Sequence, residues 1–341
     1  MMTERISIPS PPIPPKSHRD RAAQIHATYV KDAKTVWFDL DSRAYGLSLS
    51  ATQQPEFSLE LEEIEAKNVE MMPKNKSFIA LDREDVPILA YFPQVLESST
   101  VDATYRALDE YVTATPFSKE GDPTPPKEPQ RDQRHPFSRK LFELFGSRHG
   151  IRHCGMWHAT GHPHEPPSVS KDVIHTATFA RATAVLFRRL VLLTVELSIL
   201  FCALDLETWS TARRFIAALA HFYADFSPFC RVGEFECWAH RALLFNLETH
   251  AHRDLRDNRD GYAVIAVFGS FVGGDFVVPA LGLKFSFQPG DVIFIKGQML
   301  QHFITRWSGR TDKGERFCIT HFTHQALIDS VAKASQQAES S

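Results

Sequence analysis

Two hydrophobic rhythms divide the chain. Between 177 and 204, apolar residues recur three and four apart, and Val185, Leu186, Leu190, Leu193 and Leu197 form a stripe. That spacing marks one face of an α-helix. It predicts one or two long helices over 177–204, and the pattern continues helically over 212–226. From 242 onward the rhythm changes to short apolar runs. The stretches 242–247 (ALLFNL), 262–268 (YAVIAVF), 276–279, 283–287, 292–296, 302–307 and 317–323 read as strands. Turn residues separate them at Gly273-Gly274-Asp275, Pro289-Gly290-Asp291 and Gly309. Many short strands with such punctuation predict a barrel or jelly roll. The apolar stripe of the preceding helices then belongs to the core and braces one face of the sheet.

The first part of the chain is less regular. Strand-like runs occupy 35–40 (TVWFDL), 77–81 (SFIAL) and 87–92 (PILAYF). The charged stretch 56–68 reads as helix, and 101–113 carries Tyr105, Leu108 and Val112 at helical spacing. Residues 115–136 combine Pro, Gly and charge, which predicts a loop or linker. Arg134, Arg139, Lys140, Arg148 and Arg152 could form a phosphate-contacting face, but they read better as basic flanks of an amphipathic helix over 137–145. The segment 153–164 (HCGMWHATGHPH) is rich in histidine, yet it offers one cysteine and no zinc-finger spacing. It is expected to be a loop near the mouth of a site.

Composition narrows the class. The 341 residues are 43% hydrophobic and 23% charged, as in a globular protein that buries a real core. A net charge of -3 does not advertise nucleic acid, although a local basic face remains open. Five cysteines without a CxxC pair read as reduced, buried thiols of an intracellular protein. The first 21 residues lack the apolar core of a secretion signal, and KSHRDR (16–21) is a weak import signal that reads better as a solvated tail. The apolar run 185–204 contains Arg188, Arg189 and Glu196, which argues against a membrane span.

The chemistry lies in the strand-rich part. His252-Arg253-Asp254 is followed by a lone His302, and Arg316 opens the last strand-like run, fourteen positions further on. Two imidazoles and one carboxylate on one face leave other metal positions open, which suits ferrous iron and oxygen chemistry. An isolated HxD is common by chance. HxD followed by GGDF, PGDVIF, a single His and then Arg is far more specific.

This order resembles the double-stranded β-helix of the iron- and 2-oxoglutarate-dependent dioxygenases, an α+β fold with a jelly-roll core braced by helices. The resemblance implies that His252, Asp254 and His302 hold Fe(II). Arg316 would pair with the distal carboxylate of 2-oxoglutarate, with Arg310 as competitor in the turn SGRTDKG. Many relatives carry Ser or Thr two positions after this Arg, where the chain has Cys318. Asn246 would contact the co-substrate or serve the structure. HxDxxD, formed by His252, Asp254 and Asp257, resembles the TET/JBP family of nucleic-acid base oxygenases. The phrase FVGGDFVVPALGLKFSFQPGDVIFIKGQMLQHFITRW looks like its fungal branch. On that resemblance Asp257 and His324 face the target base, with His321 as a nearby alternative to His324. The implied domains are a disordered tail 1–25, an α/β extension 26–114, a Pro-rich charged loop 115–136, a catalytic domain 137–330 with its core at 240–325, and a flexible tail 331–341.

The implied reaction uses Fe(II), 2-oxoglutarate and O2 to form a ferryl oxidant. That oxidant abstracts hydrogen from a methyl group on a DNA base, 5-methylcytosine or N6-methyladenine, and returns hydroxyl. The partner would be methylated DNA, duplex with the base flipped out, which implies a nuclear location and otherwise a cytoplasmic one. Two other readings stand beside it: a hydroxylase of a protein side chain or small molecule, and a non-catalytic binding barrel. A stacking aromatic and a basic rim beside the iron favour nucleic acid. An acidic or closed apolar pocket favours the second reading.

Overall fold

Strand alternation sets the layering of the chain. A computed structural model describes residues 16–41, 59–117, 136–158, 165–312 and 314–340. Its strands are β1 (Lys34–Trp37), β2 (Glu70–Met71), β3 (Phe78–Leu81), β4 (Pro87–Phe92), β5 (Gly150–Trp157), β6 (Ser168–Val169), β7 (His240–Phe245), β8 (Ala263–Gly269), β9 (Phe271–Gly273), β10 (Phe276–Val278), β11 (Leu283–Phe285), β12 (Val292–Ile295), β13 (Phe303–Ile304), β14 (Trp307–Gly309) and β15 (Arg316–Phe322). Among the described residues a nine-stranded sheet runs β1-β3-β4-β12-β8-β15-β7-β5-β6. A smaller sheet runs β13-β10-β11-β2, and β9 pairs with β14. Two sheets with mixed sequence order and covering helices give the α+β, double-stranded β-helix architecture.

Period-2 alternation sends successive side chains of the large sheet to opposite faces. Leu243, Phe245, Val264, Phe268, Phe294, Phe317 and Ile319 point one way, into a core shared with the helices Ser98–Ala114, Ala177–Arg189 and Val191–Leu204. Ala242, Leu244, Ile265, Val267, Ile293, Ile295 and Cys318 point the other way, against Phe276, Val278 and Phe285 of the smaller sheet. Both faces are buried, so the strands read as continuous apolar runs. Each fully buried Phe contributes roughly 2 kcal/mol of apolar transfer. The layer between the sheets holds the site.

The stretch 177–204 is two helices, within the expected one or two, that meet at Leu190, where φ is -80 and ψ -1. Other elements differ from expectation. The stretch expected as a flexible tail, 331–341, continues through Ser340 as the helix Gln325–Ser340, anchored by buried Leu327 and Val331. Part of the expected disordered tail is the helix Lys16–Ile25, with Ile25 buried against the helical core, while 1–15 lie outside the described residues. The predicted linker also falls mostly outside them, at 118–135. The 26–114 region does not stand apart: β1, β3 and β4 extend the large sheet, with β4 antiparallel to β12 from Val292↔Phe92 to Ile295↔Leu89.

Candidate active site

The chain leaves β7 at Asn246, whose φ of 55° is the left-handed conformation that Asn tolerates better than most residues. The loop that follows carries His252 back across the smaller sheet. His252 N–H donates to His302 O at 3.1 Å, and His302 N–H donates to His252 O at 3.0 Å. This narrow antiparallel pair brings the two rings to a centroid distance of 4.4 Å. Asp254 is held by its own N–H, which donates to Gly297 O at 2.8 Å. The one-letter gap in HxD therefore places a carboxylate beside both imidazoles.

Hydrogen bonds set the ring nitrogens. His252 Nδ1 donates to His250 O at 2.6 Å, and His302 Nδ1 donates to Leu300 O at 3.0 Å. With the proton on Nδ1, Nε2 carries the lone pair. The Nε2 atoms of His252 and His302 each lie 3.6 Å from an oxygen of Asp254. The three candidate ligand atoms all lie within 4.8 Å of one another. Phe276 stacks on His302 at 5.3 Å and fixes that ring's plane. Gly297 makes room for the carboxylate: a Cβ there would meet Asp254 Oδ2 at 2.8 Å. Two lone-pair nitrogens and a carboxylate in a fitted cradle suit a divalent iron.

Arg316 begins β15 and is 3% exposed, with Nε and Nη2 lacking any hydrogen-bond partner among the described residues. Its guanidinium sits 5.3 Å from the centre of the Phe271 ring, and Gly274 gives it space. Burial pushes its pKa down, while Cys318 and Glu248 oppose that shift. A buried guanidinium with unanswered donors is built for a planar, bidentate anion such as a carboxylate. Arg310 does not compete: it is exposed, and Nε donates to Phe271 O at 2.9 Å. Glu248 lies within electrostatic reach of Arg316. Burial pushes its carboxyl up to about 8, against the Trp307 N–H and the charges of Arg306 and Arg316.

Asn246 does not match the expected co-substrate contact. Its Nδ2 donates to Arg148 O at 3.0 Å and to Glu315 Oε1 at 3.1 Å, and its Oδ1 accepts from Arg316 N–H at 3.0 Å. Both amide hydrogens are engaged inside the protein, so none is left for a ligand. Asn246 instead pins the backbone of Arg316. Arg148 serves the same buried network through Glu315, at 2.7 Å, and Asp109, at 2.6 Å. Arg152 packs over the Phe117 ring. These two members of the basic flank thus make internal contacts. Cys318 is buried, and burial pushes its thiol pKa up; a hydrogen bond with Thr320 opposes this.

Asp257 and His324 meet in a second isolated bridge, close to the metal loop. His324 Nε2 lies 3.8 Å from Asp257 Oδ1, too far for a hydrogen bond. Burial pushes the His324 ring down to about 4, and Arg256 adds to this while Asp254 opposes it. Despite the nearby carboxylate, desolvation wins and the ring is neutral at pH 7. Around it stand Trp157 at 5.0 Å, His240 at 4.7 Å and Phe322 at 5.3 Å between ring centroids. His240 donates from Nε2 to Met156 O and accepts the His324 N–H at Nδ1, 3.3 Å away, so it too is neutral. The alternative, His321, is fully buried on the helix side, beside Trp238.

A cavity of about 290 Å³ opens beside His324, lined by Leu255, Arg256, Arg259, Gln298 and Gln325 among others. Arg256 and Arg259 are exposed on its rim. Trp157, His240 and Gly297 were not singled out from sequence. The segment around Trp157 reads as a histidine-rich loop, whereas Gly150–Trp157 is strand β5, paired with β7 from Gly150↔Phe245 to Gly155↔His240. Residues 159–164 of that histidine cluster lie outside the described residues. No helix among the described residues is long and apolar enough to cross a membrane.

Comparison with known proteins agrees with this geometry. Residues 224–325 match the family model Tet_JBP, described as the oxygenase domain of the 2OGFeDO superfamily. No match is found among the curated proteins. The fold is similar to that of NgTET1, solved in complex with 5mC DNA. The TM-score is 0.54 at 15% identity, over 95% of this chain and 100% of that one.

Proposed function

From a chain whose residues 224–325 form a Tet_JBP oxygenase domain, and which is therefore an Fe(II)/2-oxoglutarate-dependent dioxygenase, we propose that the substrate is a methylated base in DNA. The observation that carries this is the wall around His324. Trp157, Phe322 and His240 pack around the His324 ring close to the candidate metal ligands, and the cavity that His324 lines carries the exposed Arg256 and Arg259. An imidazole at a cavity wall can hydrogen-bond a base edge, and guanidinium groups contact phosphates without regard to sequence. The DNA-bound state of the similar NgTET1 structure supports the same reading.

His252, Asp254 and His302 would hold Fe(II). Once held there, the iron would supply, together with 2-oxoglutarate and O2, the oxidising power to hydroxylate a C–H bond. The protein's own part is positioning. Arg316 takes the distal carboxylate of 2-oxoglutarate, in a buried site where a charge-assisted pair is strong. Asn246 and Glu315 keep Arg316 at the start of β15. The neutral His324 ring can both donate to and accept from a base edge, which an imidazolium cannot. Asp257, beside it, can accept from an exocyclic amine. A base in a duplex must leave the stack to reach these groups, and such a substrate places the enzyme in the nucleus.

The test is mass spectrometry of nucleosides after incubation with Fe(II), 2-oxoglutarate and DNA bearing either methylated base, with His252→Ala as blank. Oxidised 5-methylcytosine or lost N6-methyl, absent in the blank, is the expected outcome and identifies the base. Succinate formation without a change in either DNA would overturn the substrate assignment and point to a protein or small-molecule substrate.

A further inference from the structure

The helix Leu59–Asn68 lies far from the family-matched segment in sequence, yet it reaches the metal loop. Two contacts fix it from the other side. Lys284 Nζ donates to Ala66 O at 2.7 Å, and β2, just after the helix, pairs in parallel with β11 at Leu283↔Glu70 and Lys284↔Met71. So anchored, the helix delivers Glu62, which is 8% exposed, to the peptide between His250 and His252. Glu62 Oε1 accepts the Ala251 N–H, and Oε2 lies 3.3 Å from His250 Nδ1. The carbonyl of His250 in turn accepts the Nδ1 proton of His252 at 2.6 Å.

We propose that Glu62 is a positioning residue for His252, acting through the His250–Ala251 peptide. The inference rests on the reading of His252, Asp254 and His302 as metal ligands. Its physical basis is rotation. A peptide gripped at its N–H cannot turn, so the His250 carbonyl on the same segment stays aimed at the His252 ring. That aim holds the His252 proton on Nδ1 and the Nε2 lone pair toward Asp254 and His302. The partner of a ligand's second ring nitrogen sets its orientation and basicity, and losing such support typically weakens metal binding about 10–100-fold. Without the carboxyl group, Ala251 N–H would lose a buried acceptor and the loop would gain alternative positions. The N-terminal part of the chain would thus be part of the metal site.

The experiment is an anaerobic Co(II) titration of the full chain, read by ligand-field absorption, alongside thermal melting. Glu62→Ala is expected to weaken Co(II) binding about 10–100-fold and to alter the absorption bands. Glu62→Gln, whose amide oxygen can still accept from Ala251, is expected to restore most of the affinity. Unchanged affinity and spectrum in Glu62→Ala would overturn the proposal. So would Glu62→Gln behaving like Glu62→Ala while both lower the melting temperature equally, since that marks a merely structural contact. If His252→Ala bound Co(II) as well as the unsubstituted protein, the ligand assignment would fail first, and this inference with it.

Discussion

At the residue scale, two side chains carry sharp consequences. Arg316 is buried with donors unanswered among the described residues. Arg316→Lys would replace a planar fork by a point charge that is readily neutralised on burial. Loss of a charge-assisted pair of this kind costs about 1.5–3 kcal/mol, so the KM for 2-oxoglutarate should rise roughly 10- to 100-fold. The 2-oxoglutarate dependence of succinate formation checks this, and an unchanged KM would move the role elsewhere. His324 carries a pH consequence. Its pKa is pushed from 6.5 down to about 4 in the folded chain. Between those values the unfolded chain binds a proton that the folded chain refuses, so the stability this neutral ring contributes is present above 6.5 and lost as pH falls toward 4. Relative to His324→Gln, which cannot titrate, the native chain should therefore lose melting temperature as pH falls through that window. A constant difference from pH 7 to pH 4.5 would mean that the ring charges freely. The triad, Arg316, Asp257 and His324 were singled out in the sequence through a family resemblance, and the structure brings His252, Asp254 and His302 within 4.8 Å of one another. Asn246 was legible as a site residue, but its purpose was not, because hydrogen-bond partners from residues 148 and 315 have no local signature.

At the element scale, the site depends on how the 246–257 loop, the turn after β12 and the start of β13 meet. Gly297, in that turn, touches Asp254 so closely that a methyl group would collide with its carboxylate. Gly297→Ala should displace Asp254 and reduce Fe(II) or Co(II) affinity by at least about tenfold, the scale of a disturbed ligand shell, with little change in circular dichroism. Full metal affinity in that variant would show that the carboxylate can shift at no cost. The longer strands were legible because each is a short apolar run between turn residues, and β4 falls over 87–92 as expected. The run expected over 302–307 divides into β13 and β14, and the two- and three-residue strands β2, β6, β9 and β14 were not legible. β5 was not, since its polar and histidine-rich sequence has no clean alternation. It is a strand because β7 offers it an edge, and its exposed His153 and buried Cys154 and Met156 follow that pairing.

At the scale of the whole molecule, the family-matched segment 224–325 contains the candidate ligands but not the layers that hold them. β12 needs β4 on its outer side, β7 needs β5, and the helix-side core needs the helices between 98 and 204. Residues 224–325 expressed alone should leave two long apolar edges open. That fragment is expected to aggregate or to lack a cooperative melt, whereas the full chain melts cooperatively. A folded, metal-binding fragment would overturn this view of the architecture. The sequence by itself determined the period of the long amphipathic helices and of the apolar strands, because period depends on neighbours within a few residues, while the candidate ligands and the α+β class were reached through a family resemblance carried by motif order. Only the tertiary structure decided that the N-terminal strands share the large sheet, that Glu62 accepts the Ala251 N–H beside His252, that Asn246 serves Arg316, and that Trp157 and His240 pack around His324. Those are contacts between positions tens to hundreds of residues apart, and their register is set by strand pairing and burial, which no local pattern encodes.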